Sequence, residues 1–572
     1  MSGIRLGVRS PMAGVDYPPQ EDLRRYAEAG ALSTQETLIS AYLQAFRRYA
    51  GRDALVAREG PMTYGELDEL SDRLAGALLG LGVTALDRAL FQIANSRELI
   101  VAIFGCLKAG VIPVCTLPAH REHEIGEIGR RAAATLYFVQ GDDRKFDFPA
   151  FALKMAAEIP SIRHIVVARG DAVPGALSMA ALIGSAEPKV ARAAVQTSVS
   201  SLDPFQVAVF QLSGGTTGVS KIIPRFSNDY LYNMRAAWDV SGRAAPGRWA
   251  GDTAVVAYSG GPFLHNAGFV IHWGPTLLNG GTVVVCSDFT EDGVLADFEA
   301  FRPNWAFLPT PLLVRLAAAR KRKGVDFPYL QGVVSRSAAM VREKLGVPGY
   351  PQFGMAEGQC ILSRIGDPIT ALDDTVGQPL SPLDDIRLVD PGTETPVEDG
   401  MTGEMLVKGP YTIHGYYNGG GRNAESFTPD GYYRTGDLMR RHRIEGRTYY
   451  SYEGRAKDIV KRGGESISCE EVELALRNYP GLADVAIVAM PDPVFDERAC
   501  AFVILEPGAP APTIASFGKH LEKQGLAKLK WPERIEVVDS FPLTKSDKLS
   551  RPLLRQRITE KLAADGVQVS AR

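Results

Sequence analysis

Short apolar runs rich in β-branched residues alternate along this chain with segments of helical periodicity, and this alternation constrains the fold more than any other feature. The runs lie at 165–167, 207–210, 282–286 and 332–334. Between such runs, segments such as 66–79 and 96–108 carry apolar residues at every third or fourth position, as an amphipathic helix does. Strands that alternate with helices predict an α/β chain with largely parallel sheets.

The C-terminal third of the chain has a different pattern. After about residue 380, strand-like pieces at 385–389, 404–408 and 449–452 are separated by Gly, Pro and Asp, which predicts a smaller β-rich subdomain. From about residue 458 a helix, two strands and a second helix are indicated, and an α+β unit of roughly 115 residues fits a separate domain. A chain of 572 residues is also too long for a single core.

The charge balance and the apolar pattern argue against several classes of partner. The net charge is −3 and the pI is about 6.3, so no basic excess is available to neutralise the phosphates of a nucleic acid. The most apolar stretch, 99–119, is interrupted by Lys108, Gly110 and Pro113, unlike a membrane span. Six scattered cysteines and an acidic N-terminal segment without an apolar core predict a cytoplasmic protein with reduced thiols. We therefore expect neither nucleic acid nor a membrane among its partners.

A loop rich in glycine and hydroxyl groups follows the apolar run 207–210 and ends on Lys221. Glycines let the backbone approach a ligand, hydroxyls donate hydrogen bonds and the lysine adds charge, a combination that suits a triphosphate. A P-loop would end in Gly-Lys-Ser/Thr, whereas Val219 and Ser220 separate Gly218 from Lys221 here. Taken alone, such a loop is equally typical of a structural turn. The candidate phosphate ligands are Ser213, Gly214, Gly215, Thr216, Thr217, Gly218 and Lys221.

Four further segments follow the loop: QFGMAEG at 352–358, GYYRTGD at 431–437, GRAKDIVKRGGE at 454–465 and PLTKSDK at 542–548. Together with the loop they resemble, in order and spacing, the motifs of the adenylate-forming superfamily of acyl- and aryl-CoA ligases, nonribosomal peptide adenylation domains and luciferases. The resemblance covers the chain from about residue 211 to 551. It implies an enzyme in which a carboxylate attacks the α-phosphorus of ATP and pyrophosphate leaves, a reaction that depends on positioning and electrostatics.

The resemblance also assigns roles within the nucleotide site. The loop 213–221 would hold the β- and γ-phosphates, and the segment 353–357 would contact adenine, the α-phosphate and Mg²⁺. Asp437 would accept hydrogen bonds from the ribose hydroxyls, with Arg455 nearby. The residues implied at 353–357 are Phe353 against adenine, Gly354, Met355, Ala356 beside the α-phosphate and Glu357 on Mg²⁺.

The end of the chain resembles the mobile part of this superfamily. Lys548 matches the catalytic lysine that bridges the attacking carboxylate and the α-phosphate, although Asp547 stands where the family usually has glycine. We expect Asp547 to be harmless because aspartate tolerates turn conformations. Lys457 matches the hinge, which implies an N-terminal AMP-binding domain at 1–456, with the β-rich subdomain at about 380–456, and a small mobile C-terminal domain at 457–572. In the family this domain rotates after adenylation, and 462–465 would belong to the face that admits a thiol.

The residues expected to line the acid pocket resemble those of the stand-alone aryl-acid ligases of siderophore pathways, which activate 2,3-dihydroxybenzoate or salicylate. His265 and Asn266 match their pocket, where the asparagine bonds an ortho-hydroxyl. Ile271 departs from that branch, because it offers no partner for a 3-hydroxyl. The usual Gly-Gly-Ala lining is replaced by Ser335, Arg336 and Ser337, and Arg336 either points to solvent or narrows the pocket and donates to a polar substituent.

The sequence thus predicts an aryl or heteroaryl acid with a hydroxy-, amino- or aza-substituted ring, activated with ATP and Mg²⁺. No carrier-protein signature occurs in the chain, so the accepting thiol belongs to another molecule. The resemblance favours the phosphopantetheine of a separate carrier protein in nonribosomal peptide or siderophore-type biosynthesis, and free CoA is the alternative. A non-catalytic nucleotide-binding relative is a third reading. The acid itself, the pathway and the oligomeric state do not follow from the sequence.

Overall fold

The structure is a computed structural model that describes residues 6–565, apart from 214–219, 244–253, 391–392, 456–458, 464, 543–548 and 550. Within these residues, strands β1–β14 form two seven-stranded sheets in the N-terminal part of the chain. The strands are Asp53–Ala57, Gly60–Thr63, Arg88–Gln92, Ile112–Val114, Leu136–Gln140, His164–Arg169, Leu177–Ser178, Val207–Leu212, Ile222–Phe226, Val256–Ser259, Thr282–Val284, Trp305–Phe307, Gly332–Val334 and Gly349–Tyr350.

Both large sheets are parallel except at one edge. The first has the order β7-β6-β5-β3-β4-β8-β9, in which only β8 and β9 are antiparallel. The second has the order β14-β13-β12-β10-β11-β1-β2, in which only β1 and β2 are antiparallel. Crossover connections explain this pattern, because parallel neighbours must be joined by a segment that returns along the sheet. The predicted α/β class with largely parallel sheets is confirmed.

The helices that supply these connections cover the sheets and fill the space between them. They are α1 Gln20–Glu28, α2 Leu38–Arg48, α3 Tyr64–Gly80, α4 Arg97–Lys108, α5 Glu122–Ala132, α6 Phe148–Glu158, α7 Met179–Ser185, α8 Pro188–Ser201, α9 Ser227–Val240, α10 Gly274–Leu278, α11 Glu291–Phe301, α12 Thr310–Lys323, α13 Ala338–Leu345 and α14 Ile369–Asp374. A π-helix, Gly268–Trp273, precedes α10. One continuous core contains Phe138 of the first sheet, Val333 of the second and Ile103 of α4. The two sheets therefore share a single core.

The apolar stretch 99–119 is a buried helix, a glycine and a buried strand. Helix α4 ends at Lys108, Gly110 follows with φ +73° and β4 begins at Ile112. The Lys108 ammonium is fully buried and lies 2.6 Å from a carboxylate oxygen of both Asp68 and Asp72. Such pairing is what a buried charge requires. Among the residues that the structure describes, no helix has the length and apolar character needed to cross a membrane.

Two smaller sheets follow in the β-rich region. Strands β15 Gln352–Gly354, β16 Cys360–Leu362 and β17 Gln378–Pro379 form an antiparallel three-stranded sheet. Strands β18 Asp385–Val389, β19 Thr402–Lys408, β20 Tyr433–Ile444 and β21 Arg447–Arg455 form an antiparallel four-stranded sheet, with α15 Gly421–Ser426 before β20. The strand-like pieces expected at 385–389, 404–408 and 449–452 lie in β18, β19 and β21.

The last part of the chain has its own sheet and cores. Strands β22 Ile459–Arg462, β23 Glu465–Ser468, β24 Leu482–Asp492 and β25 Asp496–Leu505 are antiparallel, and β26 Arg534–Val537 adds parallel to β25. Helices α16 Cys469–Leu476, α17 Ile514–Lys523 and α18 Arg551–Ala564 cover it. One apolar cluster includes Phe517 and another includes Ile558. This agrees with the predicted small α+β unit at the C-terminus.

Candidate active site

A cavity of about 1150 Å³ lies where the carboxyl ends of β8, β12 and β13 meet the β-rich sheets and the C-terminal unit. Ligands of open α/β sheets bind outside the carboxyl ends of the strands, and this cavity occupies that place. Most of the residues predicted for the site that the structure describes line it. They are Ser213, Lys221, His265, Asn266, Ile271, Ser335, Arg336, Phe353, Gly354, Met355, Ala356, Glu357 and Asp437.

One of the predicted residues that the structure describes lies away from the cavity. Ser337 is not part of the lining, because its hydroxyl accepts a hydrogen bond from the Met340 N–H at 3.2 Å and caps α13. The backbone of Arg455 pairs with Asp437 across β20 and β21. The predicted residues Gly214, Gly215, Thr216, Thr217, Gly218, Lys457 and Lys548 lie outside the described part of the chain.

A buried tyrosine joins the two charged residues predicted for phosphate and metal binding. The Tyr416 hydroxyl donates to Glu357 Oε1 at 2.8 Å, and Lys221 Nζ donates to the same hydroxyl at 3.2 Å. Tyr433 lies 2.8 Å from the Tyr416 hydroxyl on another side. Burial and the Glu357 carboxylate raise the pKa of Tyr416 well above its ordinary value. Tyr416 is therefore a neutral donor that orients both Glu357 and Lys221.

The turn that carries Met355, Ala356 and Glu357 is supported from behind by a buried arginine. Arg225, which is fully buried in β9, donates to the Ala356 carbonyl at 2.9 Å and to Asp229 Oδ1 at 3.2 Å. Burial raises the pKa of the Asp229 carboxyl to about 6, against the lowering effect of Arg225. The Ile413 N–H also donates to the Glu357 carbonyl at 2.9 Å. The turn is thus held by hydrogen bonds on its inner side.

An aromatic pair forms one wall of the cavity. The rings of Phe353 and Tyr452 stack with centroids 5.7 Å apart and an interplanar angle of 25°. Lys461 Nζ lies 3.8 Å from the centroid of the Tyr452 ring. Aromatic faces stack readily on a nucleobase, so this wall is suited to adenine. Asp437 is buried at the adjoining bulge of β20, where its N–H donates to the Thr435 hydroxyl at 3.0 Å.

Asn266 lies at the other end of the cavity and is held by side chains behind it. The Tyr230 hydroxyl donates to Asn266 Oδ1 at 3.0 Å, and Gln211 Nε2 donates to the Tyr230 hydroxyl at 2.8 Å. Ile271 and Phe307 add apolar surface to the lining. Ser335 is buried and its hydroxyl donates to the Leu308 carbonyl at 2.7 Å. The cavity around Asn266 therefore combines apolar surface with a few polar groups, as an aromatic acid requires.

The C-terminal unit closes the cavity from the side of 461–463 and 495–496. Arg336 forms an ion pair with Asp496 of this unit, and its side chain is 41% exposed. The guanidinium therefore both borders the cavity and contacts the C-terminal unit.

A second contact between the two parts of the chain is a buried charge cluster. Lys530 Nζ donates to Glu471 at 2.8 Å and to Glu124 of α5 at 3.2 Å. Burial would raise the pKa of Glu124, but Lys530, His120 and the Arg121 N–H together hold it below its ordinary value. Glu124 is thus an ionised carboxylate that Lys530 compensates. Together with the Arg336–Asp496 pair, this cluster connects the C-terminal unit to the N-terminal part of the chain. Lys461 and Gly463 of the C-terminal unit line the cavity.

Glu357 fits the role of a magnesium ligand. Mg²⁺ in nucleotide enzymes is held by one or two carboxylates together with substrate phosphates and waters, and Glu357 is a buried carboxylate that lines the cavity close to Lys221. In the described ranges, no group of three or more His, Cys, Asp or Glu side chains is arranged to hold a metal by itself. An ion here would therefore depend on the phosphates of the substrate for its other ligands.

Several residues that shape the site were not predicted from the sequence. Tyr416 lies between the strand-like piece at 404–408 and the motif at 431–437, in a segment to which the sequence assigned no role. Tyr230 and Tyr452 had no signal in the sequence, because each is an ordinary residue of a helix or strand. Lys461 lies in the motif 454–465, which gave it no role. In the folded chain Tyr452 and Lys461 line the cavity, whereas Tyr230 acts on it only through its hydrogen bond to Asn266.

Comparison with known proteins places this geometry in a family. The AMP-binding enzyme model matches residues 43–417, and the model of the AMP-binding enzyme C-terminal domain matches 471–548. The chain is 36% identical to 2,3-dihydroxybenzoate-AMP ligase of Bacillus subtilis, over 90% of this chain and 93% of that protein. It is 35% identical to salicyl-AMP ligase / salicyl-S-ArCP synthetase of Mycobacterium tuberculosis, over 94% of each chain. The apo structure of Mycobacterium smegmatis MbtA has a TM-score of 0.70 and 33% identity, covering 95% of this chain and 99% of that one.

Proposed function

Because this chain belongs to the AMP-binding enzyme family and is an adenylate-forming ligase, we propose that it activates an aryl or heteroaryl carboxylic acid with ATP and passes it to a thiol. In the first step a carboxylate oxygen forms a bond to the α-phosphorus, the bond from that phosphorus to the β-phosphate oxygen breaks, and pyrophosphate leaves. In the second step a thiolate attacks the acyl carbon and AMP leaves.

One observation carries this proposal: a single cavity of about 1150 Å³ contains both the turn at 353–357 and Asn266. This volume exceeds the range of roughly 300–1,000 Å³ that ligand pockets usually have, so an acid and a nucleotide can occupy it together. Phe353 and Tyr452 suit adenine, Asp437 suits the ribose, and the apolar end near Asn266 suits an aromatic ring. Nucleotide and acid can thus meet at the Ala356 turn.

We assign roles to the charged residues on chemical grounds. Bringing two anions together requires positive charge at the transferring phosphorus. Lys221, oriented by Tyr416, and Lys548, by resemblance, would supply that charge, and Lys548 would bridge the attacking oxygen and the α-phosphate. Mg²⁺ held by Glu357 and the phosphates would neutralise the leaving pyrophosphate when bound. Ser213 and the glycines and threonines at 214–218 would hold the β- and γ-phosphates.

The thiol is proposed to be the phosphopantetheine of a separate carrier protein, with free CoA as the alternative. The mycobacterial relative is named a salicyl-S-ArCP synthetase, which supports a carrier protein. Gly463, which belongs to the predicted face at 462–465, lines the cavity, and this supports the expectation that this face admits the thiol. Lys457 remains the proposed hinge between domains at 1–456 and 457–572. To distinguish the carrier protein from free CoA, the enzyme is incubated with the acyl-adenylate and each acceptor in turn, and the thioester is detected by mass spectrometry.

An ATP–pyrophosphate exchange panel tests the proposed reaction. We expect exchange with benzoate derivatives and pyridine-2-carboxylate, and none with α-amino acids, because neutral Asn266 offers no carboxylate to pair an ammonium group. We expect no preference for 2,3-dihydroxybenzoate, because Ile271 cannot bond a 3-hydroxyl. Exchange that depends on an amino acid, or no exchange with any aryl acid, would contradict the proposal, and the second result would favour a non-catalytic relative.

A further inference from the structure

We propose that Tyr230 fixes the orientation of the Asn266 amide, so that the acid end of the cavity offers a hydrogen-bond donor and selects acids with an acceptor at the ortho position. Tyr230 is a positioning residue in this account, since it acts through Asn266. The inference rests on the proposed function and deepens it. It predicts that the enzyme accepts hydroxy- and aza-substituted acids and discriminates against amino-substituted ones.

A buried relay of three side chains carries the proposal. Gln211 donates to the Tyr230 hydroxyl at 2.8 Å, and the Tyr230 hydroxyl donates to Asn266 Oδ1 at 3.0 Å. The exposed fractions of Gln211, Tyr230 and Asn266 are 1%, 0% and 7%. A phenol has one proton, so a Tyr230 hydroxyl that gives its proton to Asn266 can accept from Gln211 but cannot donate to it as well.

A longer contact with the backbone favours the same orientation of the Asn266 amide as Tyr230 does. Asn266 Nδ2 faces the Met355 carbonyl oxygen at 3.5 Å. A carbonyl oxygen can only accept, so the opposite amide orientation would place two acceptor oxygens against each other. The same flip would face an Asn266 N–H toward Tyr230 and break the relay. Two neighbours therefore favour one orientation of Asn266.

The Tyr230 ring is itself held in place. It meets the Phe269 ring edge-on with centroids 5.3 Å apart, and the Arg225 guanidinium carbon lies 4.8 Å from its centroid. With Oδ1 occupied by Tyr230 and one N–H of Nδ2 directed at Met355, Asn266 keeps its second N–H for a ligand. The amide thus presents a donor to the acid.

This polarity predicts which ortho substituents are accepted. A pyridine nitrogen accepts from Asn266 directly. The oxygen of an ortho-hydroxyl can also accept, because its proton can turn toward the adjacent carboxylate. An ortho-amino group would direct its own N–H at the Asn266 N–H, so two donors would face each other. Its lone pair is delocalised into the ring and is a poor acceptor, so neither donor would be satisfied. The enzyme should therefore discriminate between 2-hydroxybenzoate and 2-aminobenzoate, which have nearly the same size.

The test compares the specificity ratio of the wild-type enzyme with that of Tyr230→Phe. For ATP–pyrophosphate exchange we expect wild-type kcat/KM to be at least about 10-fold higher for 2-hydroxybenzoate and pyridine-2-carboxylate than for 2-aminobenzoate, as for one unsatisfied hydrogen bond. In Tyr230→Phe the amide can flip, and we expect that ratio to fall roughly 10-fold. The KM for ATP should not change. Tyr42→Phe is the matched control, since its equally buried hydroxyl bonds the Gly274 carbonyl and Met234 instead of Asn266.

The outcomes separate this inference from the proposed function. If the wild-type enzyme exchanges with aryl acids but treats 2-aminobenzoate and 2-hydroxybenzoate alike, the donor polarity is wrong. An unchanged ratio in Tyr230→Phe, or an equal change in Tyr42→Phe, would overturn the role of Tyr230. Exchange with none of these acids would instead remove the proposed function.

Discussion

Replacing Lys548 with alanine is expected to lower ATP–pyrophosphate exchange by roughly 10²–10³-fold, the usual effect of removing one donor to a transition-state charge. The acid carboxylate and the α-phosphate are both anionic, and Lys548 is proposed to bridge them. The loss should appear mainly in kcat, because a contact made chiefly in the transition state contributes little to ground-state binding. Measurements of kcat and KM for both substrates check this.

Lys545→Ala is the matched control, because it removes a lysine from the same PLTKSDK segment three positions earlier. We expect the control to exchange at the wild-type rate. Thioester formation from added acyl-adenylate should be largely unaffected in Lys548→Ala, since that step is proposed to use the face at 462–465. Exchange close to the wild-type rate in Lys548→Ala, or an equal loss in Lys545→Ala, would defeat the assignment of Lys548.

Replacing Arg225 with methionine is expected to destabilise the protein by roughly 3–5 kcal/mol, because it leaves the buried Asp229 carboxylate without its cation. It also removes the donor to the Ala356 carbonyl. We expect the loosened turn to lower exchange by roughly 10²-fold, as small displacements of positioned groups do. Chemical denaturation and exchange kinetics measure the two effects. Arg235→Met, which breaks a surface pair with Glu36, should change neither appreciably.

A double variant separates the structural effect of Arg225 from its effect on the turn. Arg225→Met combined with Asp229→Leu removes both buried charges, so most of the lost stability should return. Activity should stay low, because the Ala356 carbonyl still lacks its donor. A double variant that regains both stability and activity would show that Arg225 acts only on stability.

Local sequence patterns were sufficient for the fold class, although not for the strand order of the sheets. The runs at 165–167, 207–210 and 332–334 lie in strands β6, β8 and β13, because β-branched apolar residues fit a sheet that is covered on both faces. The glycine at 110 marked the end of a buried helix. These signals are local, so they can be read without knowledge of the rest of the chain.

The nucleotide end of the site was predicted largely from motifs, whereas its supporting side chains were not. Glu357 and Asp437 have recognisable neighbours in the sequence. Tyr416 lies 59 residues from Glu357 and 195 from Lys221, and Arg336 meets Asp496 across the two parts of the chain. No local pattern encodes such contacts, because they depend on how distant elements pack.

The acid end was the least predictable. Asn266 was identified by resemblance, but an asparagine amide can donate and accept, and the sequence does not say which group faces the ligand. The orientation depends on Tyr230, 36 residues earlier, and on the Met355 carbonyl, 89 residues later. Substrate polarity is therefore a property of the folded cavity.

The most direct test of the central claim follows oxygen from the acid to the nucleotide. The enzyme is given an accepted aryl acid labelled with ¹⁸O in both carboxylate oxygens, together with ATP, Mg²⁺ and the thiol acceptor, and the products are analysed by mass spectrometry. Attack of the carboxylate on the α-phosphorus predicts that AMP carries one ¹⁸O atom and that the thioester keeps the other. Unlabelled AMP, or ADP with the label in inorganic phosphate, would contradict the formation of an acyl-adenylate.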